Sequence, residues 1–287
     1  MVIPIDDSYA EKIHKTYLPQ YVDISTSPVS KFLVIGGYPK DISKDIEFID
    51  LKRPDVSCDI PDLPSGAGVV RPTGAFTVNR GPVVCTGWDP PSDDFPYDRY
   101  PDSCLVLNQK GKFQDLNEEI CEPVVIEGKW DAVSVVTTYG DLWILGGGVY
   151  LNDFTDSWNK GLASTQLIQL GNGPKVHTKP EELPKGLLSA CLAKINSATA
   201  ILTGGTQKRS ASPVTEDSTY YLNLVNLTIS SGPKLKHSRY DHGCGIFKFN
   251  DKIVTIVAGG HFDERTLLSS TEYLMDNEWH EGKFLRL

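Results

Sequence analysis

Six histidines, His14, His177, His237, His242, His261 and His280, and six cysteines are the side chains of this sequence best suited to holding a metal. Their densest group is His237, His242 and Cys244 in KHSRYDHGCG, and no CxxC or HxxxH pair accompanies it. Zinc sites need such pairing, so strand residues are the better reading of this group, and no metal and no cofactor are expected. Arg239, Asp241 and His242 combine a cation, an acid and a base, a set able to polarise a small ligand if it lines a polar channel. The segment WDPPSDDFPYDRYPD, Trp88 to Asp102, is rich in carboxylates that could face calcium, but prolines and tyrosines interrupt it and its spacing matches no calcium loop. Its residues Trp88, Asp93, Asp94, Tyr97 and Tyr100 have instead the aromatic and charged character of a recognition loop. A second such loop, VYLNDFTDSWNKG, Val149 to Gly161, presents Tyr150, Phe154 and Trp158. Asn226-Leu227-Thr228 is an acceptor triplet for N-glycosylation, placed at an expected turn.

The chain that must position these residues has 287 of them, 40% hydrophobic and 23% charged, enough to bury a core in one large all-β domain. Its 37 acids against 28 bases give a net charge of -9, the wrong sign for neutralising phosphates, so nucleic acid is not an expected partner. Met1 to Gln20 carries Asp6, Asp7, Glu11 and Lys12 and no apolar run of signal-peptide length, and no stretch approaches a membrane span, so membrane insertion is not expected either. Glycines and prolines punctuate short runs of Val, Ile, Leu, Thr and Tyr, the pattern of strands and turns. Helix is expected at most over Ser8 to Leu18.

One unit recurs five times: KFLVIGG, GPVVCTG, DLWILGG, TAILTGG and TIVAGG, ending at Gly37, Gly87, Gly147, Gly205 and Gly260. The gaps are 50, 60, 58 and 55 residues, and Thr86 replaces the first glycine of the second copy. Downstream, Ser164-Thr165-Gln166-Leu167, Ser218-Thr219-Tyr220-Tyr221 and Ser270-Thr271-Glu272-Tyr273 repeat as well. Upstream, Cys191 to Gly205 and Cys244 to Gly260 read as hairpins with Asn-Ser and Asn-Asp turns. Each unit therefore predicts a four-stranded antiparallel sheet, two strands before the loop and two after it, and repetition at this period predicts a radial propeller.

From Lys31 to Trp279 these residues resemble the kelch-repeat family of β-propellers. Its blades carry a glycine doublet after the second strand, a Tyr in the third and a Trp opening the fourth. The last unit matches best, with Gly259-Gly260, Glu272-Tyr273 and Trp279, and the one before it has Gly204-Gly205, Tyr220-Tyr221 and Gly232-Pro233-Lys234-Leu235. Phe113, Ile229 and Cys58 stand where Trp is expected. The resemblance implies an all-β kelch propeller over residues 21–287 after an N-terminal extension, 1–20, with five recognisable blades. Kelch rings usually have six or seven, so the count favours part of a six-bladed ring over closure with five. Galactose oxidase, a related enzyme, carries copper on the axis with Tyr, His and crosslinked Cys, a set this sequence does not reproduce.

Within that frame Cys85, two residues before Gly87, and Cys104, opening the third strand, meet across the second blade. A bridge there would clamp the acidic loop and stabilise the fold by roughly 3 kcal/mol. Cys121 is the rival partner and Cys58 is expected free. Cys191 and Cys244 are expected opposite the residue two before the last glycine of their hairpins, hence at equivalent places in neighbouring blades, either bridged or as buried thiols. Similar cysteine pairs occur in kelch-like proteins that look secreted, so an extracellular location is the reading, with the cytoplasm as the alternative. The expected function is non-catalytic binding of protein partners through loops on one face. The alternative is a small-molecule enzyme, of isomerase or oxidase type, using the channel near Arg239 and His242.

Overall fold

The computed structural model describes residues 2–4, 31–35, 46–50, 63, 71–77, 80–88, 102–108, 112–116, 127–150, 159–171, 175–178, 180–209, 213–249 and 252–282. The fold is all-β, and every strand pairing with a defined register is antiparallel. Among the described residues no helix is long and apolar enough to cross a membrane.

A three-stranded sheet joins β1 (Val2–Pro4), β2 (Lys31–Ile35) and β3 (Ile46–Asp50) in that order. The first residues, expected as an extension, thus supply a strand that pairs Ile3 with Leu33. Four further sheets have four strands each. They are formed by β4 (Thr73–Thr77), β5 (Gly81–Cys85), β6 (Cys104–Leu107) and β7 (Phe113–Asp115); by β8 (Val133–Val136), β9 (Leu142–Leu145), β12 (Thr165–Gln169) and β13 (Lys175–Thr178); by β14 (Cys191–Lys194), β15 (Thr199–Thr203), β17 (Thr219–Asn223) and β18 (Thr228–Ser231); and by β19 (Gly243–Phe249), β20 (Lys252–Ala258), β21 (Thr271–Met275) and β22 (Glu278–Glu281). Each follows chain order, as the repeat predicts. A last sheet was not legible as such: β10 (Gly148–Tyr150), β11 (Asn159–Gly161) and β16 (Lys208–Arg209), which turns the ends of the Val149 to Gly161 loop into a hairpin and pairs it with the following loop.

The chain divides into two compact units, Met1–Trp130 with Gly140–Leu142 and Ile168–Val176, and Asp131–Tyr139 with Trp143–Leu167 and His177–Leu287. In the first, β5 is buried at every position, GPVVC, and since successive side chains point to opposite faces, both faces of this strand are covered. Cys85 and Cys104 are directly opposed in the register of β5 and β6, with sulfurs 2.05 Å apart and both residues buried.

In the second unit, the period-two alternation of strands assigns residues to two cores. Ala200 and Leu202 of β15 and Leu222 of β17 pack with Trp143, Leu145 and Leu187 on one side, while Ile201 packs with Val257, Leu274 and Trp279 on the other. The sheet β14-β15-β17-β18 is therefore sandwiched, and its outermost strand, TISS in β18, is largely exposed. Trp279 is buried and donates its indole N–H to the Pro233 carbonyl at 2.9 Å. It stands opposite Leu274 in its sheet, as Ile229 stands opposite Leu222 and Phe113 opposite Leu107.

Cys191 and Cys244 link neighbouring sheets of this unit at disulfide distance, 2.00 Å between sulfurs. Their positions correct one expectation. Cys191 opposes Thr203, two before Gly205, but Cys244 opposes Val257, three before Gly260. Equivalent residues of stacked sheets point the same way, so partners that face each other across the gap must differ by one step of the alternation. Cys58 and Cys121 lie outside the described residues, as does the possible helix of Ser8 to Leu18.

Candidate functional site

Within each four-stranded sheet the connections differ by end. Strand one turns into strand two between Thr77 and Gly81, Val136 and Leu142, Lys194 and Thr199, and Phe249 and Lys252, and strand three into strand four almost as tightly. Strand two reaches strand three only after Cys85 to Cys104, Leu145 to Thr165, Thr203 to Thr219 and Ala258 to Thr271, always at the opposite end. That end also receives the chain as it enters strand one.

The glycine doublets organise this end. The first position is left-handed in every described copy, at φ 62° for Gly146, 57° for Gly204 and 66° for Gly259, and Thr86 adopts 54° in the copy that lacks glycine. The second position donates its N–H to the segment leading into the next sheet: Gly87 to the Lys129 carbonyl, Gly147 to that of Leu187 and Gly205 to that of Arg239, each at 2.8 Å. A Cβ on Gly204 would sit 2.4 Å from the Arg239 oxygen, so the close approach excludes side chains there. Two residues beyond each accepting carbonyl, Asp131, Ser189 and Asp241 are left-handed too. In the second unit they form a backbone chain, Asp241 N–H to the Ser189 carbonyl at 3.0 Å and Ser189 N–H to that of Asp131 at 3.3 Å, and the Ser189 hydroxyl donates to the Asp131 carboxylate.

The polar triad expected to line a channel is mostly committed to packing. Arg239 is fully buried, donating to Glu272 at 2.7 Å, to the carbonyls of Gly259 and Ser270 at 2.8 and 3.2 Å, and to the Ser270 hydroxyl at 3.1 Å. Glu272 is equally buried and accepts the backbone N–H groups of Lys236 and His237 at 2.6 and 3.1 Å. The Nε2 of His242 lies 2.9 Å from the Thr203 hydroxyl. Burial, and then the Arg239 charge, push its ring pKa down to about 3 against a smaller pull from Asp241, so the imidazole is neutral. Only Asp241 keeps partial exposure. His237 is exposed beside Glu281 at 3.1 Å, and Cys244 faces Cys191, so the His237, His242 and Cys244 group does not converge. Among the described residues no three His, Cys, Asp or Glu side chains are arranged to hold a metal.

The recognition residues read from the sequence fall unevenly. Trp88 is half-buried just past the doublet position of its copy, and Tyr150 ends β10. Asp93, Asp94, Tyr97, Tyr100, Phe154 and Trp158 lie outside the described residues. Sequence reasoning missed what the last two loops carry. Val214, Phe262 and Leu267 are large apolar residues 49%, 48% and 72% exposed. Their loops are held by internal hydrogen bonds: the Thr206 hydroxyl donates to the Val214 carbonyl, the Asp263 carboxylate accepts the N–H groups of Arg265 and Thr266, and the Thr215 hydroxyl bridges the two loops to the Phe262 carbonyl at 2.6 Å. Beside them Lys185 donates to Glu216 at 2.7 Å. Burial alone raises the Glu216 carboxyl, but hydrogen bonds from Lys185, Gln207 and Ser218 outweigh it and hold the group below the usual carboxylate range. The same hydrogen bond raises Lys185 above an ordinary lysine. Apolar residues set among polar ones in the last two glycine-to-third-strand connections, Val214 in one and Phe262, Leu267 and Leu268 in the other, were the available signal. Exposed apolar side chains at the other end, Tyr139, Val225, Phe247 and Ile253, sit in or beside tight turns.

No protein-family model and no curated protein matches the chain. A solved structure of YjhT is similar to it with a TM-score of 0.64 at 14% identity, covering 84% of this chain and 78% of that one. At that identity the likeness concerns the fold alone.

Proposed function

We propose that the chain is a kelch-type β-propeller whose glycine-loop end binds protein partners outside the cytoplasm. The family reading draws support from the five-fold recurrence of the glycine run, from the repeated hydrogen bond of its second position to the next lead-in, and from Trp279, Ile229 and Phe113 occupying one fourth-strand register. The single observation behind the binding surface is that, sheet by sheet, every long connection leaves from the same end, where Val214, Phe262 and Leu267 stand exposed beside hydrogen-bonded backbone. Apolar anchors on a preorganised frame lose little entropy on binding, which suits recognition. Two cysteine pairs at disulfide distance fit an oxidising compartment. The enzymatic alternative draws little support from Arg239 and His242: both are buried, and the terminal guanidinium nitrogens and His242 Nε2 bond interior groups, although Arg239 Nε and His242 Nδ1 have no partner among the described residues.

The test is capture of partners by the purified chain, followed by binding of each captured partner to a Phe262→Asp, Leu267→Asp double variant and to a Tyr139→Asp control. Binding lost by the first and kept by the second is the expected result. Equal binding by all three, with folding intact, would refute the assignment of this end.

A further inference from the structure

We infer that Asn226 is the attachment point of a single N-linked oligosaccharide, carried at the end of its sheet opposite the glycine loops. Asn226-Leu227-Thr228 is the one Asn-Xaa-Ser/Thr triplet in the 287 residues whose middle residue is not proline. Its two polar side chains are presented while Leu227 between them packs against the core: Asn226 and Thr228 are both exposed, in the turn 224–227 between β17 and β18 and at the first residue of β18.

The turn is built to hold that presentation. The Asn223 carboxamide oxygen accepts the N–H groups of Val225 and Asn226 at 2.9 and 3.2 Å, the Leu227 N–H returns to the Asn223 carbonyl at 2.9 Å, and Leu227 is left-handed at φ 59°. These bonds fix the backbone, as Asx turns do. Asn226 then uses its own oxygen: Oδ1 accepts the Thr228 hydroxyl at 2.8 Å and the Thr228 N–H at 3.3 Å. Its Nδ2 donates to none of the described residues, so the atom to be modified is open to solvent while the hydroxyl that the acceptor triplet requires already lies against the same carboxamide.

The reaction joins Nδ2 to the anomeric carbon of an oligosaccharide supplied by a lipid-diphosphate donor. The bond from that carbon to the diphosphate oxygen breaks, the lipid diphosphate leaves with its electron pair, and Nδ2 gives up one proton; nothing is oxidised or reduced. Placement follows from the topology. β17 runs from Thr219, where the long connection enters, to Asn223, where the turn begins, a separation of about 14 Å for five extended residues. A glycan at Asn226 leaves the glycine-loop end uncovered, and the inference does not depend on what that end binds.

The full chain behind a cleavable secretory leader, translated with microsomes, tests it. Protease-protected product should lose one mobility step on treatment with a peptide N-glycosidase, which converts Asn226 to aspartate and marks the site by peptide mass. Asn226→Gln and Thr228→Ala should abolish the step, and Thr228→Ser should keep it. Protected wild-type chain without a glycosidase-sensitive step, or a step that survives Asn226→Gln, would overturn the inference.

Discussion

Replacing Arg239 with methionine should cost the fold about 3–5 kcal/mol, the penalty for breaking a buried ion pair and leaving its anion uncompensated. Methionine retains much of the apolar stem but none of the four hydrogen bonds that the guanidinium makes to Glu272, Gly259 and Ser270. Of these the Glu272 bond matters most, because both side chains are completely buried and water cannot replace the lost partner. Ser270 is less exposed to the loss, since its carbonyl still accepts the Gly259 N–H at 3.2 Å. Glu272→Gln should cost less, about 1.5–3 kcal/mol for a charged hydrogen bond, because the carboxamide oxygen can still accept from Lys236 or His237. In the double variant the unpaired charge disappears, so it should be more stable than the sum of single losses implies, by as much as about 3 kcal/mol. Urea unfolding followed by far-ultraviolet circular dichroism reads all four proteins. With a slope of about 3 kcal/mol per M, the Arg239→Met midpoint should fall by roughly 1–1.7 M. A shift below about a quarter of that, or strictly additive losses, would refute the view that this pair ties the connection before β19 to β21.

The remaining expectations concern His242, the second cysteine pair and the glycine doublets. Because His242 titrates near 3 when folded and near its ordinary 6.5 when unfolded, the unfolded chain binds the extra proton between those values, and stability drops as pH falls through that window by up to about 1.4 kcal/mol per unit. A His242→Gln variant removes this loss, so its stability deficit relative to the parent should narrow by about 3 kcal/mol from pH 7 to pH 4; parallel urea midpoints across that range would contradict it. Replacing Cys191 and Cys244 together by alanine opens a connection with a separation of 53 residues and should cost about 4 kcal/mol under non-reducing conditions, with the difference vanishing when a reductant opens the bridge in the parent. Gly204→Ala combines a left-handed backbone with a Cβ 2.4 Å from the Arg239 oxygen and should cost about 2–4 kcal/mol. Thr86→Gly should do the reverse and stabilise by up to about 1 kcal/mol, since Thr86 is left-handed at φ 54° and its buried hydroxyl has no hydrogen-bond partner among the described residues; a loss of more than about 1 kcal/mol would count against the strain.

The strands of the four four-stranded sheets and their order were legible because they depend on local signals. A glycine run ends each second strand, an alternating apolar stretch precedes it, and the hairpin turn of β14 and β15 at Asn196-Ser197 falls where the chain reverses, so every four-stranded sheet could be drawn from residues close in sequence. The opposition of Cys85 and Cys104 was legible for the same reason, as both terminate neighbouring strands of one sheet. What the sequence left open depends on stacking. Cys244 meets Cys191 from one residue further along its strand than its counterpart position, a choice made by which face of β19 turns toward β14. Arg239 read as a channel residue because its neighbours are polar, but Glu272, 33 positions away, reaches it once the connection leading into the last sheet folds against β21, and the pair is then interior. Lys208 and Arg209 carry no strand signal of their own and become β16 only because β11 offers them an open edge. Short-range patterning determined the strands of the four-stranded sheets; which faces and edges meet was decided by packing between segments that no local pattern connects.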